Sequence, residues 1–179
     1  MSRLLSWYVQ QLKTRPIVTK SVTGGTIAMT GDQTQQALER AQSPKEVDFT
    51  RTLRMGFFGF CCGPLLHWWY AIINHETFTM FPSGTSFAAG RKMILDQAIF
   101  APISTLGFFS FVGLLSGHDT RQIRRKINEK YVQTMMVNYS IWPLALCINF
   151  ALVPLHLQPL FANSVGLVYN VFLSKTQHS

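Results

Sequence analysis

Three long stretches without Asp, Glu, Lys or Arg constrain this chain most: Met55 to His75, Gln97 to His118, and Tyr131 to Ser174. A helix needs roughly 20 mainly apolar residues to cross a bilayer core of about 30 Å, so each of the first two stretches suits one crossing. The third is 44 residues long and has room for two. A soluble domain of 179 residues has too little interior to hide three or four such helices. The expected fold is therefore all-α, an integral membrane bundle of four transmembrane helices, with five as the alternative, plus amphipathic helices at the interface.

Within a single membrane domain spanning residues 1–179, the pattern divides as follows. Residues 1–15 carry Arg3, Lys13 and Arg15 with no acid, and Leu4, Leu5, Tyr8 and Leu12 fall on one helical face, which reads as an amphipathic N-terminal helix. Spans are expected at about 17–38, 52–74, 93–117 and 137–157. Polar connections are expected from Glu39 to Arg51 and from His75 to Gly90. Between the last two spans, Ile123, Ile127 and Tyr131 recur every four residues opposite Arg121, Arg124, Arg125 and Lys130, so 119–135 reads as an amphipathic helix on the membrane surface. Pro154 and Pro159 separate a further short helix at 159–174. With four crossings the 16 basic residues divide seven to nine between the two sides, which leaves orientation open.

The net charge of +8 fits Lys and Arg flanking apolar spans and meeting anionic headgroups. The bilayer is thus the expected partner, with further copies of the chain or a membrane complex beside it, and no nucleic acid contacted directly. Cys61, Cys62 and Cys147 form neither a disulfide framework nor a metal-ligand spacing. There is no Gly-rich phosphate loop, nucleophile elbow or HExxH. No enzyme activity, cofactor or metal is expected.

Polar residues inside a span are costly and need a reason. Five stand out as pore-lining or bundle-polar candidates: Asp32, Asp96, Gln97, Asn149 and His67. Asp96 could pair with Lys92 one turn earlier or face a water-filled lumen. Asp32 reads either as a helix-terminal or loop carboxylate or as a vestibule charge. Asn149 needs a partner in the bundle, and interhelical glue competes there with ligand binding. His67 and His156 are lone histidines near span ends. Gly56, Gly59 and Gly63, at spacings of three and four and echoed by Gly24 and Gly25, point to close helix approach. Pro64, Trp142 and Pro143 join them as helix-packing candidates.

The order of several short motifs resembles one family. They are TGDQTQQ (30–36), DFTRTLRM (48–55), GP at Gly63 and Pro64 with WY at Trp69 and Tyr70, DQAIFAP (96–102), NYSIWP (138–143), NF at Asn149 and Phe150, VPLH (153–156) and YNVFLS (169–174). Together they cover nearly the whole chain and resemble the family of the Mpv-seventeen protein and the peroxisomal membrane protein of twenty-two kilodaltons, most closely its fungal mitochondrial branch. That resemblance implies a small multi-span protein of the mitochondrial inner membrane, or of peroxisomes in the sister branch. It implies a channel-like route for small solutes, linked to metabolite balance and mitochondrial DNA maintenance under stress. The chain departs from the family pattern at Leu146, Gln158 and Tyr169, where Gln, Arg and Trp are usual. A membrane scaffold or assembly factor without transport activity is the competing reading.

Overall fold

The computed structural model describes residues 3–43, 46–74, 86–153 and 158–178, and within them every regular element is a helix. The elements are α1 (Arg3–Thr14), α2 (Pro16–Gln42), α3 (Phe49–Asn74), α4 (Ser86–Leu95), a π-helical turn (Asp96–Phe100), α5 (Ala101–Leu115), α6 (Thr120–Leu152) and α7 (Gln158–His178). Pro16 occupies the first turn of α2, where its missing N–H costs nothing. Asp119 caps α6 in a reciprocal box: its carboxylate accepts from the Gln122 N–H at 2.7 Å, and Gln122 Oε1 accepts from the Asp119 N–H at 2.9 Å. Before it, Gly117 takes a left-handed φ of 76° and closes α5, letting the His118 N–H reach the Gly113 carbonyl at 3.1 Å.

Helix α2 lies between α3 and α7, α3 continues to α4 and α5, α5 packs on α6, and α6 returns to α7. Among the described residues these helical passes close a ring. Contacts along their lengths set the directions. Arg51 meets Asp32 and Ser174 at one end, which we call the first face. At the second face Lys20 lies beside His67, and Trp69 meets Asp96. Passes α2, α4–α5 and α7 therefore run towards the first face, while α3 and α6 run away from it.

The ring is apolar outside and polar inside. Leu53, Phe57, Phe60, Leu65, Trp68 and Ile72 of α3 are exposed at spacings of three to five, forming one stripe along its outer side. The interior holds about as many polar as apolar side chains, among them Asp32, Arg51, Asp96, Gln97, Asn138 and Asn149. A soluble fold reverses this distribution, because exposed apolar area is unfavourable in water. In a bilayer the stripe faces lipid and the polar groups must find partners within the bundle. The segments Phe49–Ile73 and Gly90–Leu115 are long and apolar enough to cross by length and composition alone.

Several expected boundaries change. The amphipathic helix expected at 119–135 and the span expected at 137–157 are one continuous helix, α6, with Pro143 inside it. The shift from charged to apolar composition marks where one helix passes from headgroups into hydrocarbon, and not a break between two helices. The span expected at 93–117 starts earlier, at Ser86, within the expected connection, and carries the π turn before ending at Leu115. Both edges of the expected Glu39 to Arg51 loop are helical, since Glu39 lies in the last turn of α2 and Arg51 in the first turn of α3. The last helix runs to His178 and not to residue 174, giving it about 31 Å at 1.5 Å per residue. The end of the fourth expected span and His156 lie outside the described residues.

Candidate functional site

The helix pair α2–α3 frames the interior. Gly56, Gly59 and Gly63 lie against α2: a Cβ on Gly24 would stand 2.6 Å from the Gly59 carbonyl oxygen, and one on Gly63 would stand 2.5 Å from the Ser21 Cα. Only glycine permits this approach, and Pro64 follows directly within α3. The seam holds the polar residues of α2 and α3 in register.

At the first face that register assembles an ion network. The Asp32 carboxylate is fully enclosed. Its Oδ1 accepts from Arg51 Nε at 2.7 Å and from the Ser174 hydroxyl, and its Oδ2 accepts from the Thr52 hydroxyl at 2.6 Å and from Gln36 Nε2 at 2.7 Å. The Arg51 guanidinium also grips Glu39 through Nη1 at 2.9 Å and Nη2 at 3.1 Å, and Nη2 reaches Ser174 at 2.9 Å. Gln36 adds a clamp on the α2–α3 connection, accepting from the Asp48 N–H at 2.8 Å and donating to the Asp48 carbonyl at 2.9 Å. Two carboxylates around one guanidinium thus tie α2, α3 and α7 together, with the ion pairs bonded on nearly every side as burial demands.

At the second face Asp96 sits in the π turn. Its carboxylate accepts from the Trp69 indole N–H at 2.9 Å and from Gln97 Nε2 at 3.0 Å, and these are its described partners where sequence offered an ion pair with Lys92. The Trp69 ring stacks on Phe100. The Ala101 N–H bonds five residues back to the Asp96 carbonyl, and the same step from residue 102 fails because proline has no N–H. The Gln97 carbonyl is left for another donor, and the Tyr139 hydroxyl of α6 supplies it at 3.1 Å. Deeper in the ring Asn138 donates to the Tyr169 hydroxyl at 3.2 Å. The side-chain oxygens of Gln97, Asn138 and Asn149 are buried and have no partner among the described residues.

Between the clusters lies an apolar plug of Met55, Phe108, Phe109, Val112, Tyr169 and Leu173, with Trp142 edge-on to Tyr169. Arg51 and Trp69, eighteen residues apart on α3, set the two polar clusters about 27 Å apart, close to the depth of a hydrocarbon core. Of the residues singled out from sequence, Asp96 and Gln97 share one cluster, Asp32 belongs to the other, and His67 stands near the second face with its Nδ1 3.5 Å from Lys20 Nζ. Asn149 lies eleven residues beyond Asn138 on α6. Sequence reasoning did not single out Arg51, Glu39, Gln36, Thr52 or Ser174 as site residues, although all but Glu39 stand in the motifs quoted above. TGDQTQQ, DFTRTLRM and YNVFLS converge on the Asp32 network. The WY, DQAIFAP and NYSIWP motifs converge on Asp96.

The Mpv17 / PMP22 family matches residues 113–174. The mitochondrial inner membrane protein Mpv17 of Mus musculus is 32% identical over 96% of this chain and 96% of its own length. The chain belongs to the Mpv17 / PMP22 family. Protein SYM1 of Gibberella zeae is 30% identical over 97% of each chain, and the peroxisomal membrane protein 2 of Bos taurus is 29% identical over 96% of this chain and 88% of its own. No solved structure matches. Family membership places this chain among membrane proteins whose relatives carry the name of the mitochondrial inner membrane and, in a sister group, of the peroxisomal membrane.

Proposed function

We propose that this Mpv17 / PMP22 family protein is a channel-like protein of an organelle inner membrane that passes small solutes by diffusion, without a chemical step, and is shut in this conformation. The observation that carries the reading is the buried acceptor set of Asp96, Gln97, Asn138 and Asn149. Three of their amide oxygens have no donor among the described residues, and lipid offers none, so water is the natural partner. A hydrated path then runs from the second face to the plug, where aromatic and aliphatic side chains interrupt it by dewetting. Asp32 has no place on that path, because Arg51 and its neighbours enclose it; its role is to hold α2, α3 and α7 in the shut arrangement. Such a route would serve mitochondrial metabolite homeostasis, and through it mitochondrial DNA maintenance under stress. Self-association is the expected assembly.

The Gly56, Gly59 and Gly63 face on which a scaffold would rely is occupied by α2 of the same chain, which favours the channel. Flux of small solutes from proteoliposomes separates the two readings. A channel releases them and changes its preference between cations and anions in Asp96→Asn. A scaffold leaves the vesicles tight and crosslinks to other membrane proteins in native gels.

A further inference from the structure

The N-terminal turns of α6 carry Arg121, Arg124, Arg125, Lys126 and Lys130 within ten residues. The first three are exposed, and the first turn of the helix contains no acid. This arrangement opposes the helix twice. Cations at an N-terminus oppose the macrodipole, and Arg121 and Arg125 are like charges one turn apart. Asp119 is occupied as the cap, and among the described residues Glu129 pairs with Arg125 at 2.7 Å, which leaves the charges of Arg121 and Arg124 to be offset from outside. Burial, and then the neighbouring Lys130 ammonium, lower the Lys126 pKa from its ordinary value, with Glu129 acting the other way. A sequence that accepts such a local conflict at the membrane edge has a compensating partner.

The placement of the cations says what that partner is. On the helical wheel Arg121 and Arg125 fall in line with Val132, Met136 and Tyr139, which are exposed along the lipid-facing side of α6. Val132 follows Arg125 by seven residues, about 10 Å along the axis. Leu114, at the adjoining end of α5, is exposed as well, and Gly113 receives Ile123 to hold the two helices together. The same outer face is therefore apolar at hydrocarbon depth and cationic where headgroups begin. We propose that Arg121, Arg124 and Arg125 form a headgroup site for an anionic phospholipid of the first-face leaflet, its acyl chains lying along Val132 and Met136. The phosphate relieves the repulsion among the arginines and fixes the depth of α6.

The test is lipid retention by the full chain, purified in mild detergent from mixed phosphatidylcholine and cardiolipin and read by native mass spectrometry. The parent is expected to retain cardiolipin over phosphatidylcholine. With basic groups near a membrane surface worth roughly fivefold each, the combined variant Arg121→Gln, Arg124→Gln, Arg125→Gln should lose roughly tenfold to a hundredfold of that preference. Lys13→Gln with Arg15→Gln, on α1, should keep it. All three arginines are exposed, so helix content by circular dichroism should stay unchanged. Equal cardiolipin retention by parent and triple variant, or no preference in the parent, overturns the proposal.

Discussion

Replacing Arg51 by glutamine should be among the most damaging single changes in the polar interior. The guanidinium is the shared cation of two carboxylates and makes bonds at 2.7 Å to Asp32, 2.9 and 3.1 Å to Glu39, and 2.9 Å to Ser174. Glutamine cannot span these partners, and it leaves the fully enclosed Asp32 charge with neutral donors only. Removing one member of a buried ion pair costs about 3–5 kcal/mol. For a chain of this size each kcal/mol shifts Tm by about 2–4 °C, so a fall of roughly 6–20 °C is expected. Asp32→Asn is milder, about 1.5–3 kcal/mol, because the Arg51 charge keeps Glu39. The double variant should fall short of the sum, since the second change removes the stranded charge that the first creates. Lys13→Gln, at an exposed position of α1 outside both clusters, serves as the control and should leave Tm unchanged. Thermal unfolding in mild detergent, followed by circular dichroism, reads all four. If Arg51→Gln unfolds with the parent, or Asp32→Asn proves worse than Arg51→Gln, the network does not carry the charge balance assigned to it.

Three further outcomes follow from the geometry. Gly24→Ala drives a methyl group to 2.6 Å from the Gly59 carbonyl and should cost about 1–3 kcal/mol by forcing α2 from α3, visible as a lowered Tm. Trp69→Phe can keep the stacking on Phe100 but removes the N–H from Asp96, a bond to a charged group worth about 1.5–3 kcal/mol, with a corresponding loss of thermal stability. Brominated lipids should quench Trp68 fluorescence more than that of Trp69, as judged from Trp68→Phe and Trp69→Phe, because Trp68 points outwards while Trp69 turns in to Asp96.

The span cores were legible because absence of charge over about 20 residues is a property of contiguous sequence. The ends of spans were less so. Charged residues such as Glu39, Arg40 and Arg51 were read as loop, yet a helix continues through the headgroup layer and its polar ends look the same in composition. The all-α bundle followed from local cost arguments, while for Asp96 they left a pair with Lys92 and an inward position both open. The partners did not follow from them. Asp32 meets Arg51 nineteen residues away and Ser174 at a separation of 142, and no periodicity links such positions. Arg51 carried one usable signal, since a basic residue one turn before the first charge-free run needs a partner as much as an acid within a span does. In DQAIFAP, Pro102 signalled a lost backbone donor and hence an unpaired carbonyl on the preceding turn. Composition alone did not say that Tyr139 would fill the gap.

The most direct test of a shut channel is single-channel recording in a planar bilayer, comparing the purified parent with Phe109→Ala after helix content has been matched. Phe109 is buried in the plug between the two polar clusters. The account predicts brief, infrequent current steps from the parent and markedly longer openings once the aromatic ring is removed. A silent bilayer from both folded proteins would contradict it and leave the bundle without a path.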